Sequence, residues 1–330
     1  MSFSIRTLDV ESTAGAIAVS ARALAIGTQD GYELFEYPSL ERSDRVGGLW
    51  SEGCSGIQFC EDGLVMLGHD VSQSFSHPAD WDHSLLHLQT DGRVRRSLVG
   101  PGNWNLVKGL QGSTAVIYDS TEGQGVKAVR VDDNIVQWTL PGEFNRVVRG
   151  SLDRLLALGD SALAVLAAEG AVVQECDLPL STEVRWTALA EHAGAFVLGG
   201  YGCESRDYVM ARWTPGGRPT QRVLPMSDVF SRSTIERVLA DEDCCGADLF
   251  HVAAIDLQTG GKVVVALGGD GERLGACQGA CAVALFDPST LELLQSEVIN
   301  ETDGANGMLL APDGGIIVNC CGSLHVVHLS

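Results

Sequence analysis

Basic residues are scarce in this chain. Lys and Arg together number 22 against 43 Asp and Glu, which leaves a formal net charge of −21 over 330 residues. Such an excess of carboxylates repels phosphate backbones and anionic membrane surfaces, so neither nucleic acid nor membrane is expected as a partner. If the charge serves recognition rather than solubility, the partner it suits is a basic protein or peptide. Long hydrophobic runs are missing as well. No stretch reaches the ~18 uninterrupted apolar residues of a membrane-spanning helix. The first fifteen residues, MSFSIRTLDVESTAG, have no basic segment followed by an apolar one, so the reading is a cytoplasmic protein without a secretory signal. Proline is sparse at 10 residues and aromatics make up 6%. Three catalytic signatures are lacking: GxSxG, HExxH and a phosphate-binding glycine loop. Helical 3.6-residue periodicity is hard to find anywhere.

What is present is a recurring β pattern. Apolar residues make up 45% of the chain and glycines number 39, enough for a substantial core and many tight turns. Pairs of short apolar runs about a turn recur as Tyr32–Tyr37 with Arg42–Val46, Leu85–Gln89 with Val94–Val99, and Val126–Val131 with Ile135–Leu140. They continue as Ala162–Ala167 with Ala171–Cys176, Tyr208–Trp213 with Thr220–Leu224, and Val283–Phe286 with Leu291–Val298. Another apolar pair precedes each. The unit is four strands in roughly 45 residues, a spacing typical of propeller blades. The last stretch, Gly307–Ser330, holds only three runs, and Ile5–Val10 supplies a spare one at the other end.

The expectation is a single all-β domain over 1–330: a seven-bladed β-propeller, its ring closed by the N-terminal strand joining the C-terminal blade. The blades are expected near 13–47, 54–100, 105–141, 145–178, 185–224, 235–299 and 304–330 plus 1–10. The region 225–262 leaves six or eight blades open. In this scheme the a–b and c–d turns share one face and are short. The longer connections, 68–84 and 225–251 among them, fall on the other face and make it the expected working surface.

Two segments resemble Kelch repeats. Phe196-Val197-Leu198-Gly199-Gly200 followed by Tyr208 and Trp213 is similar to the Kelch order of apolar strand, double glycine, Tyr and Trp. Val264–Gly269 followed by Phe286 is a weaker likeness without the Trp. The resemblance implies a β-propeller that serves mainly as a protein-interaction platform, with enzymes as a minority.

Candidate site residues fall into three sets. Trp50, Trp104, Phe144, Trp186 and Phe230 recur in the connections before first strands. Exposed, they would form a ring of contact surfaces for a protein or peptide; packed between blades, they would be core. The parallel segments Gly102-Asn103-Trp104 and Gly142-Glu143-Phe144 favour packing. Cys277 and Cys281, with three residues between them, and His77 with His83, in a loop rich in Asp, are donors that suit zinc or another divalent ion. Asn105, Asn145, Glu236 and Asn306 lie just before first strands, where propeller hydrolases and lyases place polar groups at the channel mouth. Oxygen donors of this kind suit calcium. The leading expectation is a non-catalytic scaffold for a protein or peptide, without a cofactor; the alternative is a metal-dependent, lactonase-like hydrolase or lyase.

Overall fold

A computed structural model describes residues 3–10, 16–51, 53–70, 81–107, 114–119, 123–178, 183–203, 205, 207–239, 250–257, 262–269, 272–273, 276–277, 279–302, 304–320 and 322–329. The contacts divide the chain into two compact units, residues 12–177 and residues 178–330 with 1–11.

The unit 12–177 holds four sheets, each of four antiparallel strands taken in chain order. Strands β2–β5 are Ile17–Val19, Ala23–Gly27, Tyr32–Glu36 and Arg42–Val46, and β6–β9 are Gly53–Cys60, Gly63–Asp70, Asp82–Gln89 and Val94–Pro101. Strands β10–β13 are Trp104–Leu106, Thr114–Asp119, Val126–Arg130 and Ile135–Leu140, and β14–β17 are Arg146–Arg149, Leu155–Leu158, Ala162–Leu166 and Val172–Asp177.

The other unit begins with β1, Phe3–Asp9, and resumes with β18–β21: Val184–His192, Ala195–Gly202, Tyr208–Trp213 and Thr220–Leu224. A short helix α1, Arg232–Leu239, follows. Its start is capped by Ser231, whose hydroxyl accepts the Thr234 amide at 3.2 Å, as serine does at helix N-termini. The next sheet joins β22 (Phe250–Leu257), β23 (Val263–Gly269), β26 (Ala280–Phe286) and β27 (Leu293–Asn300). Between β23 and β26 the chain inserts a small hairpin, β24 (Glu272–Arg273) with β25 (Ala276–Cys277). Last come β28 (Ala305–Leu310), β29 (Ile316–Cys320) and β30 (Ser323–Leu329).

The expectation of a seven-bladed ring closed by the N-terminal strand is corrected in its count. Six four-stranded blades each come from one stretch of chain, four in the unit 12–177 and two in the other. The remaining four-stranded sheet is composite, in the order β1-β30-β29-β28. Its physical origin is simple: only three runs follow Asn300, so alone they would leave β30 as an open edge, and β1 from the far end of the sequence covers it. Seven residue pairs join them, from Phe3 opposite Leu329 to Asp9 opposite Ser323.

Burial follows strand position. The second strands include fully buried runs, as in Leu155–Leu158 and Ala195–Gly202. The fourth strands lie at sheet edges and are mostly exposed, as in Val172–Asp177. The cores sit between successive sheets: Trp50, Cys54 and Met66 pack between β2–β5 and β6–β9, and Trp104, Val65 and Ile117 between β6–β9 and β10–β13. β-Bulges recur between third and fourth strands, at Leu34/Phe35, Ala128/Val129 and Val165/Leu166. Each bends the edge strand and increases its twist.

Gly199, in the first double glycine, has a packing explanation. A Cβ on Gly199 would stand 2.7 Å from Val252 Cγ1 and 2.8 Å from Ile255 Cδ1. Only glycine lets β19 approach β22 that closely.

Candidate functional site

Four of the five candidate aromatics are buried: Trp50, Trp104, Trp186 and Phe230 are 4%, 0%, 3% and 3% exposed. Phe144 is partly buried against the core between β10–β13 and β14–β17. Their polar atoms face inward too. Trp50 Nε1 donates to Ser84 Oγ at 3.0 Å, and Trp104 Nε1 to the Pro101 carbonyl at 3.0 Å. The Lys127 ammonium lies 4.0 Å from the centre of a Trp104 ring, a cation–π contact. These rings are structural.

The oxygen donors are locally engaged. Asn105 Nδ2 donates to the Asn103 carbonyl at 3.1 Å and Asn145 Nδ2 to Asp160 Oδ1 at 2.6 Å. Glu236 lies on α1 and accepts from Arg232 Nε at 2.7 Å. Asn306 lies in β28, but its side chain is outside the described residues, as is that of Cys277 in β25.

Cys281 is fully buried in β26, where burial and a hydrogen bond with Cys320 hold its thiol well above the usual range. His77 lies outside the described residues. His83 lies in β8, opposite His69 in β7, with ring centres 5.1 Å apart. It is 1% exposed, its Nδ1 is 3.1 Å from the Trp81 carbonyl, and burial pushes its pKa down to about 4. His69 stacks flat on Trp81 with centres 4.5 Å apart.

A different group of donors does converge, at the opposite end of the same sheet. Cys60 ends β6, Asp62 lies in the two-residue turn to β7, and His87 lies near the end of β8. Cys60 Sγ is 3.5 Å from His87 Nε2 and 3.5 Å from Asp62 Oδ1. His87 Nε2 is 3.1 Å from the same Asp62 oxygen. From the β12–β13 turn of the next sheet, Asp132 Oδ1 lies 3.2 Å from His87 Nδ1. Gln89 Nε2 donates to the other Asp62 oxygen at 3.3 Å, and the Arg95 guanidinium donates to the Asp132 carbonyl. His87 is 1% exposed, while the Asp62 side chain is 54% exposed. The centre therefore has a rigid floor and an open mouth.

Thiol, imidazole and carboxylate in series suggest a cysteine nucleophile. The electrostatics oppose that. Burial, reinforced by the Asp62 carboxylate, pushes the Cys60 thiol up to about 11, so the thiolate is disfavoured.

Two signals for this centre were in the sequence: Cys60-Glu61-Asp62-Gly63 is the β6–β7 turn, and Asp132-Asp133-Asn134 is the β12–β13 turn. Both belong to the short-turn face of the repeat. The sequence places His87 inside the strand run Leu85–Gln89, where packing or surface roles are the ordinary ones, and the longer loops drew the search for chemistry.

A second surface feature lies on the fourth strands. In the unit 12–177, β9 exposes Val94 and Leu98 (54% and 74%), β13 exposes Ile135 and Val136 (47% and 53%), and β17 exposes Val172 and Val173 (47% and 62%). Each of these strands ends its sheet and, among the described residues, pairs on one side only. In β17 the aliphatic pair is followed by exposed Glu175 and Asp177.

This architecture defines a β-propeller, and solved structures share it. The streptogramin B lyase structure superposes with a TM-score of 0.66 at 11% identity, covering 99% of this chain and 98% of that one. The WD40 β-propeller domain of Doa1 gives 0.61 at 11% identity, covering 98% and 93%. A chain of the mitotic checkpoint complex gives 0.64 at 11% identity, covering 98% and 91%. At this identity the likeness is one of fold. No family model matches the sequence, and no curated protein matches it. The Kelch likeness therefore rests on the two segments alone.

Proposed function

We propose that this propeller is a protein-binding scaffold of the cytoplasm that takes an extended segment of its partner along the edge of a fourth strand. The observation that carries it is the exposed aliphatic pair on β17, Val172 with Val173, on a strand whose outer edge has no neighbour within its sheet. Unpaired edges accept added strands through main-chain hydrogen bonds, and alternate side chains supply selectivity. Glu175 and Asp177 beyond the pair, and the net charge of −21, favour a partner segment that runs from apolar to basic. Burial of four of the five aromatics moves the expected contact surface from the long loops to these edges. A WD40 domain and a chain of a multiprotein complex among the similar structures agree with a binding role. The presence of a lyase among them keeps catalysis as the rival.

The test is a display selection of extended peptides against the whole chain, followed by affinity measurement on a Val172→Lys/Val173→Lys variant. Binding weakened at least tenfold, with β17 amides protected from exchange by the peptide, is the expected result. Equal binding by the variant would refute the edge-strand reading.

A further inference from the structure

The convergence of Cys60, Asp62 and His87 has the dimensions of a metal site. In a tetrahedral zinc centre, with Zn–S of about 2.3 Å and Zn–N or Zn–O of about 2.0–2.1 Å, neighbouring donor atoms stand about 3.3–3.6 Å apart. The three donor separations here are 3.5, 3.5 and 3.1 Å. Two of them match that range and the His87–Asp62 edge is slightly short of it, so the three atoms approximate one triangular face of such a tetrahedron before any ion is added.

The surroundings are those of a ligating imidazole. Zinc-bound histidines commonly engage a carboxylate or carbonyl through their other ring nitrogen, which fixes tautomer and orientation. Asp132 occupies that position on His87 Nδ1 at 3.2 Å, and Arg95 holds the Asp132 backbone in turn. Gln89 plays the same part for the second oxygen of Asp62. The donor set selects the metal: a thiolate and an imidazole suit zinc, whereas calcium and magnesium take oxygen ligands.

We propose that Cys60 Sγ, Asp62 Oδ1 and His87 Nε2 bind one zinc ion, with Asp132 as the positioning residue behind the imidazole. The fourth vertex opens on the side of the exposed Asp62 and takes water or an incoming donor group, the arrangement of zinc sites that keep an open position. The site shares no residue with the β17 edge, so it stands or falls independently of the protein-binding reading.

The experiment uses the full chain, stripped with a chelator and titrated with Zn²⁺ and with Co²⁺ as a spectroscopic substitute. The expected result is one tightly held zinc per chain and a cobalt adduct with tetrahedral and thiolate-to-cobalt absorption bands. Cys60→Ser and Asp62→Asn, both at a surface turn, should remove the equivalent of zinc, and Cys60→Ser should abolish the thiolate band. Asp132→Asn should weaken binding 10–100-fold while keeping the band shape. No stoichiometric zinc in the wild type, or the same stoichiometry and spectrum in Cys60→Ser, overturns the site. Unchanged affinity in Asp132→Asn overturns the positioning role.

Discussion

Thr7 Oγ1 lies 3.1 Å from His325 Nδ1, a contact between residues 318 positions apart that ties β1 to β30. On its other side the His325 ring faces Ser323 Oγ at 3.0 Å and Asn300 Nδ2 at 3.3 Å. A polar network centred on buried His325 and Ser323 and reaching the exposed Thr7 thus ties the composite sheet together. Most β1 side chains are exposed, so the strand acts mainly through its ladder and by covering this network. Deleting residues 1–10 should uncover an edge and remove the Nδ1 partner of the His325 ring, lowering the unfolding midpoint clearly. Thr7→Val should cost about 0.5–1.5 kcal/mol, the net worth of one hydrogen bond. A deletion with an unchanged midpoint would refute the latch.

Close packing of Gly68 on Trp50 makes a second prediction. A Cβ at Gly68 would fall inside the van der Waals envelope of the indole, which is itself fixed by its bond to Ser84. Gly68→Ala should therefore destabilise by about 1–3 kcal/mol through overpacking. In a Trp50→Leu background the same change should cost much less, because the obstructing ring is gone. Denaturant unfolding of the four chains measures the coupling. Additive losses would mean the contact is not tight.

Much of the fold was legible because the repeat states it many times. The Tyr208–Trp213 and Thr220–Leu224 strands have the expected bounds, and β12–β13 differ by one residue. Helix α1 and the β24–β25 hairpin were not legible, since each is a single insertion with no second copy for comparison. Aromatic recurrence was read in two ways, and burial decides for packing. Trp50, Trp104 and Phe144 fill the gaps between successive sheets of the unit 12–177, so a repeated aromatic is first a spacer. The Cys60 centre was illegible for a different reason. Its members are 25 and 45 residues from one another across two sheets, and only the strand register brings them together.

The pH dependence of stability should carry the mark of His83. Its folded pKa is pushed from 6.5 to about 4 by burial. Between those values the unfolded chain binds a proton that the folded chain does not. Stability contributed by the neutral ring is therefore complete above pH 6.5 and lost as pH falls toward about 4. His69 adds to the loss, since burial lowers its pKa as well, while Asp70, Asp82 and Asp119 oppose these shifts. His83→Gln should flatten the midpoint-against-pH curve in this window. A variant curve parallel to the wild type would show that His83 is not the titrating group.

Thiol reactivity should rank by burial. The thiolate, not the thiol, attacks alkylating reagents, so a buried thiol with a raised pKa is doubly protected. Burial pushes Cys54 up to about 12, and Cys281, fully buried and hydrogen-bonded with Cys320, stands well above its usual range. Cys203 is exposed. Alkylation of the native chain at pH 7, mapped by peptide mass spectrometry, should therefore label Cys203 early and leave Cys54, Cys281 and Cys320 unmodified until denaturant is added. Early labelling of Cys281 or Cys320 would mean that β26 and β29 open readily in solution, and would contradict the packing that buries both thiols in one core.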